Sequence, residues 1–250
     1  MKKLALVLLL VTGLAAPALA GPLGSIGSFN YTRQGGYYTG NGGEFTLYNY
    51  GASLTNQSYS SSPETRNVGN FDPSFQTFCL ETGETADSPS YFVVNSGAVL
   101  GGAGGTGTFD ALSKGSAWLY SQFALGILNV AGGDYFSAAL PARSTEAGRF
   151  QTAIWALEGE VAAPAAGANA YYDAALLNGG AADAPAGYLG VYVLNNFDTA
   201  AQRNAFVSTG ATAGLRQDFL YYVVPDGGAT LMLLGGALMG LGALRRKLRR

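Results

Sequence analysis

The sequence predicts an α+β protein, with an antiparallel β-sandwich-like core and a helical insertion, plus an N-terminal signal peptide and one C-terminal transmembrane helix. Three observations predict it. Short runs of strand character, alternating apolar with polar or rich in aromatic and β-branched residues, lie in the first and last parts of the chain. Two stretches between them carry apolar residues at three- and four-residue spacing, as amphipathic helices do, and strands followed by helices and then strands suit a sheet with inserted helices. Both chain ends carry an uncharged apolar segment with basic residues on one flank.

Met1, Lys2 and Lys3 make a basic start, Leu4 to Leu14 an apolar stretch, and Ala18-Leu19-Ala20 a small-x-small cleavage site. Residues 1–20 therefore read as a signal peptide for signal peptidase, and residues 21–223 as one exported α+β domain. Ser28–Thr32 and Glu44–Tyr50 alternate apolar with polar around a Gly-rich turn, which predicts two strands. Gly51–Asn70, rich in Ser, Asn, Thr and Tyr, reads as a long surface loop or an irregular hairpin. Phe75–Glu81 is the next strand. At period two, Phe75, Thr77, Cys79 and Glu81 share one face and Gln76, Phe78 and Leu80 the other, which puts Cys79 on the more polar face.

Tyr91–Val94 is a short apolar strand. Gly102–Gly107 spells GxGxxG, but no alternation of strand and helix surrounds it, and it reads as a loop. Lys114–Val130 predicts a helix with Tyr120, Phe123, Ala124, Ile127 and Leu128 on its apolar stripe, stopped by Gly132 and Gly133. Ser144 or Thr145 caps a second helix to about Glu160, which buries Phe150, Ile154, Leu157 and Val161 before Pro164. An Ala, Gly and Pro-rich connection holding Tyr171 and Tyr172 leads to the strand Tyr188–Leu194. Thr199–Gln202 is a capping box for a helix to about Ser208, and Gln217–Val224 is the last strand.

Composition narrows the function. Residues 21–244 hold 7 basic and 16 acidic residues, a formal charge of −9, which argues against nucleic acid and anionic lipid as partners. The chain has no histidine and one cysteine, so the usual zinc sites are excluded, no intramolecular disulfide forms, and neither metal nor cofactor is expected. Glycoside chemistry through paired carboxylates such as Glu81 with Glu84, or Glu158 with Glu160, is the least favoured reading, because residues two apart do not share a helix face and no spacing singles out an acid and a base; no enzyme is expected.

The C-terminal segment is the most explicit. Val224, Pro225, Asp226, Gly227 and Gly228 form a short polar motif in which proline ends the preceding strand. Residues 227–244 carry no charge and reach about 27 Å as a helix, close to the hydrocarbon thickness of a bilayer. Arg245, Arg246, Lys247, Arg249 and Arg250 then form a stop-transfer cluster that stays in the cytoplasm. In this order the elements of 224–250 resemble the PEP-CTERM class of sorting signals, most closely its VPDSG variant, with Gly227 where that variant has Ser. The resemblance implies processing by an exosortase. The protein would be held in the membrane by its C-terminal helix, then passed to the cell surface or an extracellular, biofilm-type matrix.

The lone cysteine lies in Phe78-Cys79-Leu80, and some seventy residues later a predicted helix carries Phe150-Gln151-Thr152-Ala153-Ile154-Trp155. An aromatic-Cys-apolar step on a strand followed by Gln-x-Ala-Ile-Trp on a helix is similar to the thioester (TQXA) domains of Gram-positive surface proteins, with Phe150 where the family has Thr. The resemblance implies an internal thioester between Cys79 and Gln151 that a nucleophile opens. That nucleophile would be an amine or hydroxyl of an exopolysaccharide or of another cell, and the protein a covalent adhesin. Phe78, Phe150 and Trp155 would cover the bond, and Glu81 or Glu158 would assist proton transfer. The alternative is a noncovalent sugar- or protein-binding surface protein that uses its many tyrosines.

Overall fold

A computed structural model of the chain describes residues 23–51, 54, 69, 71, 73–101, 107, 109–131, 135–136 and 142–223. The predicted signal peptide (1–20), the sorting segment (224–250), and most of the 51–70 loop and of the Gly102–Gly107 stretch lie outside the described residues. Six strands, β1 (Ile26–Thr32), β2 (Phe45–Tyr48), β3 (Ser74–Thr77), β4 (Ser90–Asn95), β7 (Val191–Phe197) and β8 (Leu215–Tyr222), form one antiparallel sheet in the order β3-β2-β1-β4-β7-β8. A two-stranded ribbon, β5 (Gly97–Ala98) with β6 (Asp110–Ala111), stands beside it.

The sandwich-like core expected from the strand pattern is a single curled sheet. Its pairings run from Tyr48 opposite Ser74 through Phe29 opposite Ser90 to Val193 opposite Leu220, with one register shift between Leu194 and Asn196 in β7. Just past β3 the chain crosses to the other edge strand, where Cys79 bridges Phe219, flanked by Leu80 N–H to Asp218 O (3.0 Å) and Leu220 N–H to Phe78 O (3.2 Å). The two edges thereby satisfy each other's backbone groups, which removes the exposed edge that an open sheet presents.

Curling gives the sheet two apolar faces. Phe29, Phe45, Leu47, Phe75, Phe92, Leu194, Phe219 and Tyr221 pack together on one, with Phe45 and Phe219 ring centroids 5.1 Å apart. Cys79 belongs to this aromatic cluster and not to a polar face. The meeting of the edges brings Phe219 against Cys79, and strand alternation alone does not reveal that.

The other face packs on three helices inserted between β6 and β7: α1 (Lys114–Ala124), α2 (Ala142–Leu157) and α3 (Ala170–Leu177). Helix α1 is capped by the Ser113 side chain, which accepts from Ser116 N–H, and such a cap contributes about 1 kcal/mol. It ends at Ala124 rather than Val130, because Gly126 takes a positive φ of 68°. Helix α2 begins at Ala142, upstream of the predicted Ser144 or Thr145 cap, and ends at Leu157 before Gly159. The supposed connection around Tyr171 is a helix, α3. Asn169 caps it by accepting from Tyr171 N–H and Tyr172 N–H, and Tyr171 is buried against Phe150. The strand expected at Tyr188–Leu194 starts at Val191, after one 3-10 turn over Tyr188–Gly190. Helix α4 (Ala200–Thr209) has the predicted Thr199 cap and stops at Gly210.

Candidate functional site

Cys79 and Gln151 are 72 residues apart in sequence and meet where α2 crosses the sheet seam. At an antiparallel position whose flanking residues make the ladder bonds, the residue's own N–H and C=O point away from the partner strand. Those of Cys79 point at the Gln151 carboxamide: Cys79 N–H donates to Oε1 at 3.0 Å, and Nε2 donates to Cys79 O at 2.7 Å. A third bond comes from the loop between β1 and β2, where Gly43 N–H donates to the same Oε1 at 3.0 Å. Rotating the amide by half a turn would set its NH2 against two N–H donors, so the network fixes its orientation. Both side chains are sealed from solvent, Cys79 at 2% exposure and Gln151 at 1%.

The sequence places a bare backbone over this amide. A Cβ on Gly42 would sit 2.3 Å from Gln151 Cγ, and one on Gly43 would sit 2.9 Å from both the Phe78 ring and Thr77 O, so only glycine lets the loop come this close. Where the loop leans on α2, a Cβ on Gly148 would sit 2.0 Å from Thr39 Cγ2. The loop is pinned at its far end by Glu44, fully buried in an ion pair with Arg143 (2.8 and 3.1 Å) and accepting from Tyr135 O–H at 2.7 Å. Burial pushes the Glu44 carboxyl up, and the Arg143 charge pulls it back.

Of the three residues expected as cover, Phe78 and Phe150 lie in the helix-side cluster, with ring centroids 4.6 Å apart, and Trp155 lies beside the cluster that holds Cys79 and donates from Nε1 to Glu81 O at 3.1 Å. Beyond Thr39 an open cleft of about 430 Å3 runs along α2, lined by Thr145, Gly148, Thr152 and Asn169 among others.

The two carboxyls expected to assist proton transfer separate. Glu158 faces the start of α1, where its Oε1 accepts from Ser113 O–H at 2.6 Å, so its seven-residue spacing from Gln151 does not bring it to the pair. Glu81 instead gathers with Glu84 and Asp218, with ligand oxygens all within 4.8 Å of one another. Burial raises Glu84, and raises Asp218 well above its ordinary range with a further push from the Glu81 charge. Burial also pushes the Cys79 thiol up, against the pull of Arg33 and with the push of Glu81 and Glu84. It is a thiol, not a thiolate, at neutral pH.

Glu158 makes a pH prediction. Burial pushes its carboxyl up to about 7, against the Ser113 hydrogen bonds. A pKa raised in the folded state gives stability that is present in acid and lost as pH rises through that value, here roughly 3 kcal/mol at most. Glu158→Gln is expected to decline less than wild type in urea midpoint between about pH 5 and about pH 8, whereas an unchanged slope would remove Glu158 as its source.

The structure brings Cys79 and Gln151 together, and adds Arg33, Gly42, Gly43 and Asp218, which the sequence did not single out. The adjacent glycines were the only local signal, since a loop whose backbone lies directly against a buried side chain needs residues with no side chain of their own.

A family model described as the VPDSG-CTERM motif matches residues 223–248. It supports the reading of the tail as an exosortase-sorting signal, and so of an exported, surface-directed protein. No curated protein and no solved structure matches the chain. Among the described residues no helix is long and apolar enough to cross a membrane; the predicted span at 227–244 lies outside them.

Proposed function

We propose that this exported, exosortase-sorted protein attaches covalently to a partner through an internal thioester between Cys79 and Gln151. The observation that carries it is the grip on Gln151 Oε1 by two backbone N–H groups, from Gly43 and Cys79, with the chain's one thiol on the second of these residues. Two converging N–H donors on a carbonyl oxygen are the arrangement that stabilises the negative charge of a tetrahedral intermediate.

Sγ of Cys79 bonds to Cδ of Gln151, the Cδ–Nε2 bond breaks, and the thiol proton leaves with the nitrogen as ammonia. Glu81, two residues from Cys79 and gathered with Glu84 and Asp218, is the carboxyl suited to carry that proton. On opening, an amine or hydroxyl attacks Cδ, the Sγ–Cδ bond breaks, and the nucleophile's proton returns the sulfur to a thiol. The chain is consumed once per attachment and is not an enzyme. Burial keeps water from the electrophile, and the hydroxyl-lined cleft along α2 suits an approaching polysaccharide or protein side chain.

Methylamine is the test. It should add to Gln151 and release one titratable thiol at Cys79, and Cys79→Ala should abolish both. A Cys79 thiol that titrates at once on unfolding of untreated protein, with no methylamine incorporated, would instead leave a noncovalent binder in which Gln151 merely pairs with the Cys79 backbone.

A further inference from the structure

Arg33 follows directly on β1, and its side chain turns back beneath the loop that covers Gln151. Nη2 donates to Gly40 O at 2.5 Å and to Gly42 O at 2.8 Å. The guanidinium lies 3.8 Å from the Tyr38 ring centroid and 5.2 Å from that of Phe45, and both rings attract its charge. The carbonyl of Gly42 and the N–H of Gly43 belong to one peptide unit. That unit is planar and trans, since the cis bonds among the described residues are Gly43–Glu44 and Ser88–Pro89, so its oxygen and its hydrogen point in opposite directions. Arg33 therefore holds one end of the peptide whose other end donates to Gln151 Oε1 at 3.0 Å.

From this chain of contacts we infer that Arg33 is a positioning residue for the thioester chemistry, acting through the 42–43 peptide to aim and strengthen the Gly43 N–H donor. This rests on the thioester reading above. A cation on the carbonyl draws electron density along the amide and makes its N–H a stronger donor, as hydrogen bonds in series polarise one another. The same contact fixes where the N–H points, so the donor is in place before charge develops on the oxygen and need not be reorganised. The positive charge is also the one that favours the Cys79 thiolate, the leaving group when the bond is opened.

A cover and a positioning device give opposite signs. If Arg33 only latched the loop shut, its loss would admit water and nucleophile and speed opening. If it positions the donor, its loss slows opening. The experiment follows methylamine addition to the purified exported protein by mass, with thermal midpoints and the infrared band of the thioester carbonyl recorded in parallel. Arg33→Met, which keeps the apolar stem, is expected to slow opening by at least about ten-fold, short of the roughly 10²–10³-fold that outright removal of an oxyanion donor costs. Its carbonyl band should move to higher frequency as the hydrogen bond weakens. Arg33→Lys, with the charge but no planar fork, should fall between it and wild type and keeps the test valid if the Met variant does not fold. A folded Arg33→Met variant that never loses ammonia would also support the inference, because formation passes through the same oxyanion. Opening as fast as wild type or faster, with an unmoved band, would overturn the role of Arg33 and leave the thioester standing. A wild-type protein with no loss of ammonia would overturn the thioester, and this role with it.

Discussion

Arg143→Ala is expected to destabilise the protein by about 3–5 kcal/mol, because it leaves the fully buried Glu44 carboxylate without its partner. The guanidinium holds both carboxylate oxygens, and burial of the pair means that water does not replace it. The double variant Arg143→Met with Glu44→Gln should recover much of the loss, since it removes the unpaired charge as well as the pair. Urea midpoints of the three proteins measure this, and a single variant within about 1 kcal/mol of wild type would place Glu44 in contact with water. The effect reaches the functional site because Glu44 is covalently next to Gly43. A loosened Glu44 releases the loop whose N–H reaches Gln151, so the variant should also form less thioester at a temperature where it stays folded.

Gly42→Ala is expected to abolish thioester formation while leaving the fold in place. The added methyl would lie 2.3 Å from Gln151 Cγ, a distance that requires the loop or the side chain to move. Gln151 gives least readily where three hydrogen bonds hold its carboxamide, so either response breaks the alignment of Gly43 N–H with Oε1. Misplacement of a reacting group by about 1 Å costs on the order of 100-fold in rate. Gly35→Ala is the control: it lies in the same loop with nothing near its Cβ position, and should form the bond at the wild-type rate. Equal ammonia loss in both variants would show that contact of the loop with Gln151 has no part in the chemistry.

The parts of the fold that local chemistry determines were legible. Thr199 capped the helix it was expected to cap, and the period-two runs around Phe29, Leu47 and Phe75 became strands of the sheet. Gly126 and Gly159 ended helices earlier than the apolar stripe suggested, because a positive φ outweighs one more apolar contact. Helix α3 was hidden in an Ala-rich, Gly-rich stretch whose signal was the single Asn169 cap.

The sequence singled out Cys79 and Gln151, which the structure brings together, but their surroundings depend on long-range closure. Cys79 changed from a polar to an aromatic setting because β3 and β8 meet at the seam, and Asp218 joined Glu81 and Glu84 through the same meeting. Arg33 and the 42–43 peptide came to the site through a loop whose course no periodicity encodes.

The most direct measurement is the intact mass of the freshly purified exported protein at neutral pH. A thioester between Cys79 and Gln151 predicts a mass below that of the sequence by one ammonia, with no free thiol after denaturation, and with the deficit absent in Cys79→Ala. A mass equal to the sequence mass, with one thiol titrating on unfolding, would contradict it.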